Sequence, residues 1–199
     1  MPAYTEAILD RTFRQWTAGR DPVQARIRIF EKVRDIPYAV IPDLIDAERY
    51  ADILTLGRGS CTPKHFLLGS LFERLGLLVL FCVYPFRWGE RAEVLDDYPN
   101  QLLERCQRLP LGHHLACRVE INGRLVLVDA TLDTPLARVD LPVNRSWDGF
   151  SDTMLPMTPC GEEEVYHPVE AFRMQPHYDA ESLAFYDELN ACLDAVRQL

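Results

Sequence analysis

Two runs of alternating character, His114 to Ile121 and Arg124 to Ala130, are separated only by Asn122-Gly123, and this constrains the fold more than any other stretch of the chain. Asn-Gly favours the type I′ turn, whose positive φ at both central residues matches the twist of paired antiparallel strands. A two-residue turn also sets the register. Ile121 then pairs with Arg124, and counting outward places Asp129 opposite Ala116. Cross-strand partners share a face, and so do alternate residues, so His114 and Asp129 become diagonal neighbours while His113 points away. A one-residue bulge would exchange the two histidines.

The segments around this hairpin read mainly as helix. Ala7, Ile8, Thr12, Phe13 and Trp16 fall at helical spacing, and a second helix is expected from Pro22 to about Val33, with Asp21 as N-cap and proline at the first helical position. A short extended piece follows Pro37, and a weak helix lies near Ala47 to Leu56. Gly57-Arg58-Gly59-Ser60 then forms a tight loop into a strong helix from about Cys61 to Leu75, stopped by Gly76. Leu77 to Tyr84 is a nearly continuous apolar run, as in a strand covered on both faces. A helix from Pro99 to Arg108 precedes the hairpin, residues 134–178 read mostly as ordered loop, and a terminal helix spans 179–197. Helices first and antiparallel strands later make an α+β class, as one domain over residues 1–199.

Composition narrows the partners. The 199 residues carry a formal charge of −9 with no long basic block, which argues against nucleic acid or an anionic membrane as the main partner. The uncharged stretch Leu75 to Phe86 is shorter than the roughly 20 residues a bilayer-spanning helix needs. Glu6, Asp10, Arg11 and Arg14 interrupt the region where a signal peptide would be apolar, so a cytoplasmic location is expected. Oligomeric state is left open.

The six cysteines, at 61, 82, 106, 117, 160 and 192, form no Cys-x-x-Cys pair and suggest neither a disulfide framework nor a zinc ribbon. Cys82, Cys117 and Cys192 lie in apolar patterns as small hydrophobes. Cys61 differs, because it stands where a glycine-containing loop enters a helix. Unpaired amides and the helix dipole there stabilise a thiolate. A nucleophilic cysteine needs a base and a group to orient that base, and the hairpin supplies His114 and Asp129 together. Taken singly, Cys61 could merely fill a helix start, His114 could be a surface histidine and Asp129 a loop cap.

Arg34-Asp35-Ile36-Pro37-Tyr38, Gly57-Arg58-Gly59-Ser60-Cys61, the helix ending Leu75-Gly76-Leu77, His114, and Val126-Leu127-Val128-Asp129-Ala130-Thr131 together resemble the transglutaminase-like superfamily, over about residues 28–133. The resemblance implies a papain-like fold whose central helix begins at the cysteine and packs on an antiparallel sheet, with helical additions at both ends. It further implies Cys61 as nucleophile, His114 as general base and acid, and Asp129 as orienter. A thioester from a peptide, protein or small-molecule amide or acyl donor would pass to an amine, water or a thiol, without cofactor or metal. Many relatives carry an aromatic residue two positions after the histidine, where this chain has Ala116, and no oxyanion-hole glutamine stands out. The Cys61 amide and one further donor would then hold the oxyanion.

Arylamine N-acetyltransferases are a lesser resemblance, through the His114-to-Asp129 separation and Arg58-Gly59-Ser60-Cys61. Thr62-Pro63-Lys64-His65 departs from their pattern, and the chain lacks length for their additional domain. A non-catalytic binding protein keeping the fold is the alternative outside enzymes. His65 is read as supporting or surface and Lys64 as an exposed helix lysine. His167 and His177, near Glu162-Glu163-Glu164, lack metal-ligand spacing and read as part of a solvated acidic loop. Trp88 and Trp147 are candidate substrate-binding residues, beside Tyr84 and Phe86, and Trp147-Asp148-Gly149-Phe150 is a candidate lid. An acidic stretch bordering the cleft would favour amine or cationic acceptors.

Overall fold

The Asn122-Gly123 turn has φ of 54° and 75°, the left-handed pair that a type I′ hairpin requires. The computed structural model describes residues 3–44, 46, 48–89, 100–171 and 178–199. Strands β2 (Gly112–Ile121) and β3 (Arg124–Val128) pair with Ile121 opposite Arg124 and Cys117 opposite Val128, the register set by a two-residue turn. Strand β1 (Val79–Phe86) pairs with the other edge of β2, placing Tyr84 against His114, and a short β4 (Glu164–Tyr166) pairs with β1. The sheet is antiparallel, in the order β3-β2-β1-β4, and the fold class is α+β. β4 and a helical turn at Pro168–Ala171 replace part of what the proline- and acid-rich sequence suggested was loop. Their short length keeps them below any periodic signal.

Helix α1 (Ala3–Thr17) and helix α2 (Pro22–Arg34) cover one side of the next long helix. The Asp21 carboxylate accepts from the Val23 and Gln24 amides, both at 2.9 Å, so α2 starts where its cap predicts. The expected weak helix is a 3-10 turn at Tyr50–Asp52 followed by α3 (Ile53–Leu56). Helix α4 (Cys61–Arg74) is the centre of the molecule, buried at every position from Pro63 to Phe72. Phe66, Leu67, Leu68, Leu71 and Phe72 are almost fully removed from water, each worth roughly 1.5–3 kcal/mol of transfer free energy. Gly69 lets α4 approach the sheet: a Cβ there would lie 2.8 Å from Phe81 Cζ. At the far end of α4, Arg74 ties back to Glu6 and Asp10 of α1.

The remaining helices, α5 (Asn100–Cys106), α6 (Pro168–Ala171) and α7 (Ala180–Gln198), follow the first strand in sequence. The chain buries two main apolar clusters. The larger lies between α1, α2, α4 and the sheet; the second gathers Phe86, Trp88, Leu136, Phe185 and Leu189 around α5 and α7. The segment from Asp152 to Met157 runs along the outer edge and face of the hairpin, with the Thr153 amide donating to the Leu127 carbonyl at 2.9 Å. Among the described residues, no helix is long and apolar enough to cross a membrane.

Candidate active site

The loop before α4 is held in place by backbone pairing. Tyr38 bridges Gly59 in parallel: the Gly59 amide donates to the Pro37 carbonyl at 3.0 Å, and the Ala39 amide to the Gly59 carbonyl at 3.2 Å. Only glycine fits at 59, since a Cβ would meet Ile53 Cγ2 at 2.6 Å. This close approach delivers Cys61 to the first position of α4, where amides have no intrahelical acceptor. Ser60, the N-cap, leaves that end uncapped by its side chain.

Strand β3 stops at Val128 while β2 continues to Gly112, so the β2 edge beyond Cys117 is open to the thiol. The Leu115 amide and the His114 imidazole lie close enough to Cys61 there to stabilise its thiolate. His114 Nε2 donates to Asp129 Oδ2 at 2.5 Å, which leaves Nδ1 as the nitrogen facing sulfur. Cys61, His114 and Asp129 are therefore brought together, and His113 is exposed on the other parity of the strand. Asp129 is only 1% exposed and fully engaged. Its Oδ1 accepts from the Thr131 amide, its own amide donates to Thr153 Oγ1, and Asn144 Nδ2 donates to its carbonyl.

Charges in this trio support one another. Burial alone would raise the Cys61 thiol, but the adjacent imidazolium, its hydrogen bond and the Leu115 amide together hold it below the usual thiol value. Burial would likewise lower His114, yet the Asp129 and Cys61 charges and their hydrogen bonds carry it up to about 9. Asp129 resists the upward push of burial through the same imidazolium and stays below the ordinary carboxylate range. All three shifts favour the charged forms: thiolate on Cys61, imidazolium on His114 and carboxylate on Asp129. Two other buried thiols differ: burial pushes Cys82 up to about 12 and Cys117 well above its usual value. Cys192, expected to be buried, is half-exposed, and Cys160 is exposed.

Of two residues next to the thiol, Lys64 overturns its sequence expectation, while His65 takes the supporting role of its two alternatives. Lys64 is fully buried, not exposed, and its Nζ donates to the carbonyls of Arg34, Ile36 and Thr131 at 2.8, 2.7 and 2.6 Å. Burial lowers its ammonium to about 7 against the pull of Asp133, Asp129 and Asp35. His65 is also completely buried. Its Nε2 accepts from the Ala130 amide at 3.0 Å, so Nδ1 carries the proton donated to the Cys61 carbonyl at 2.9 Å. Burial drives His65 down to about 4, leaving a neutral ring that fastens the start of α4 to the end of the hairpin.

The thiol opens onto a cavity of about 550 Å³ at the seam of the two apolar clusters. Trp88 lines it, its ring packed edge-on against Phe86 and Phe185 at 4.9 and 5.0 Å. Trp147 does not. It is wedged between Phe30 and Phe72 on the far side of α4, its indole N–H donating to the Ser151 carbonyl, and Phe150 covers Arg26 rather than the cleft. The lid expectation is corrected accordingly: spacing cannot tell an aromatic that closes a helical core from one that closes a site. Tyr178, Ser182 and Tyr186 on and before α7 form a wall that the sequence did not single out. No family model, curated protein or solved structure matches the chain. Glu164 reaches the cavity lining, His167 is exposed, and His177 lies outside the described residues.

Proposed function

We propose that the protein is a transglutaminase-like, cysteine-dependent acyl- or amide-handling enzyme with a papain-like arrangement of helix and sheet. The observation that carries this reading is His114 held between the Cys61 thiol and Asp129, with the thiol at the start of α4. In the first half-reaction the Cys61 thiolate attacks the donor carbonyl and forms the S–C bond. The bond from that carbon to the leaving amine, alkoxide or thiolate then breaks, and the His114 imidazolium gives its proton to the departing group. In the second half-reaction His114 Nδ1 removes a proton from water or an amine as it attacks the thioester, and the thiolate is released. Asp129 keeps the imidazole oriented and stabilises its cationic form throughout. Glu164 at the cleft adds a negative charge suited to an amine acceptor.

Alkylation by iodoacetamide tests the activated thiol directly. Cys61 should react fastest of the six cysteines, with a rate that rises with pH through a midpoint below the usual thiol value, and Cys61→Ala should remove this phase. The same substitution should leave the fold intact and lower acyl transfer by roughly 10³-fold or more. A Cys61 no faster than exposed Cys160 would remove the basis for a thioester enzyme and favour a protein that keeps the fold for binding alone.

A further inference from the structure

The cavity beside Cys61 is built for one kind of donor. Its volume of about 550 Å³ is some 18 times the ~30 Å³ share of a liquid water, within the size range of small-molecule sites. Trp88, Phe86, Tyr186, Phe66, Leu132 and Val83 supply its walls. An aromatic or other apolar group placed against these walls would gain free energy by leaving water.

Among the polar residues that share this lining, Ser60 and Thr131 carry hydroxyls that are unpaired. Ser60 Oγ and Thr131 Oγ1 are buried without a hydrogen-bond partner, in residues 3% exposed, and both residues face the cavity. Ser60 precedes the nucleophile, and as an N-cap its hydroxyl would ordinarily accept an amide of the first turn, which it does not do here. Thr131 lies two residues beyond Asp129, its carbonyl fixed by Lys64 one helical turn from Cys61. Buried hydroxyls left unsatisfied in the free protein are expensive, and a ligand that satisfies them regains that cost.

We infer that the donor is a small molecule with an aromatic acyl group, its ring packed in the Trp88–Tyr186 part of the cavity and its reacting carbonyl oxygen accepting from the Ser60 and Thr131 hydroxyls. This specifies the donor of the thioester reaction proposed above and rests on that reading. In the acylation step the aromatic acyl carbon bonds to Cys61 Sγ, the bond to the leaving group breaks, and His114 protonates that group. The hydroxyls keep their protons and donate hydrogen bonds to the developing oxyanion.

Two 4-nitrophenyl esters, the acetate and the 3-phenylpropanoate, test this when each is normalised to its reaction with free dithiothreitol. Nitrophenolate release should give a kcat/KM at least 10-fold higher for the phenylpropanoate, with an acyl adduct on Cys61 by mass spectrometry. In Cys61→Ala protein, calorimetry should find 3-phenylpropanamide bound at least 10-fold more tightly than acetamide. The double variant Ser60→Ala/Thr131→Val should lower kcat/KM for both esters by a common factor of 10 or more, leaving their ratio unchanged. Equal rates and equal binding for the two acyl groups, with the Cys61 adduct still formed, would overturn the aromatic donor and leave the nucleophile standing. Preferential amide binding without any Cys61 adduct would overturn the thioester reading while supporting the aromatic cavity. A double variant that folds and keeps full activity would remove the hydroxyls from the proposal.

Discussion

His114 serves two partners at once, and its charge couples them. With its conjugate acid raised to about 9, the imidazolium persists through neutral pH, and steps needing it as an acid should fail as pH rises through that value. Asp129→Asn removes the main charge that raises it. The alkaline limb of kcat/KM should then move down toward about 6.5, the ordinary histidine value, and kcat should fall by about 10²–10⁴-fold. A pH–rate profile measures both, and an unmoved alkaline limb would separate Asp129 from the control of His114. The three residues of the site were legible because each was fixed locally: Cys61 by a helix start, His114 and Asp129 by the two-residue turn. Lys64 and His65 were not, since their partners are the end of α2 and the residues after β3, which only the folded chain brings to them.

Helix α7 shows how a distant element is fastened to a site. Asn190 exchanges two hydrogen bonds with the Val40 backbone, donating to its carbonyl and accepting from its amide. Arg197 donates to both carboxylate oxygens of Asp133 and to the Tyr38 carbonyl, and Asp133 Oδ1 also accepts from the Tyr38 amide. Asp133 is nearly inaccessible, so removing its partner strands a buried charge. Arg197→Ala should lower the unfolding free energy by about 3 kcal/mol in urea titrations, and Arg197→Lys should recover little because one ammonium cannot reproduce the planar fork. A loss below about 1 kcal/mol would mean that the pair is solvent-screened and contributes little. The helical spacing of residues 179–197 made α7 readable, but nothing in that spacing says that it walls the cleft. The same limit misplaced Trp147, whose neighbours Phe30 and Phe72 come from two other helices.

At the scale of the whole molecule, the buried ionisable groups of the site make its chemistry and its stability respond to pH together. His65 is held neutral, with a folded value of about 4 against about 6.5 in an unfolded chain. Between those values the unfolded chain binds the additional proton, so stability falls as pH is lowered through that window, by up to about 1.4 kcal/mol per unit. Thermal midpoints should therefore drop from pH 6.5 to 4, and His65→Gln should start less stable at pH 7 but lose less across the interval. Equal losses in both proteins would assign the acid sensitivity elsewhere. The α+β class was readable from the order of helices and strands, whereas the seam between two apolar clusters, where the cavity lies, depends on packing that no local pattern encodes.

Lys64 has a consequence for any acyl group carried on Cys61. An amine one helical turn from a thioester, with its ammonium lowered to about 7, would ordinarily capture the acyl group as a permanent amide. Here the nitrogen is committed to three carbonyls inside the protein, which in the proposed thioester reaction would keep this amine from ending turnover.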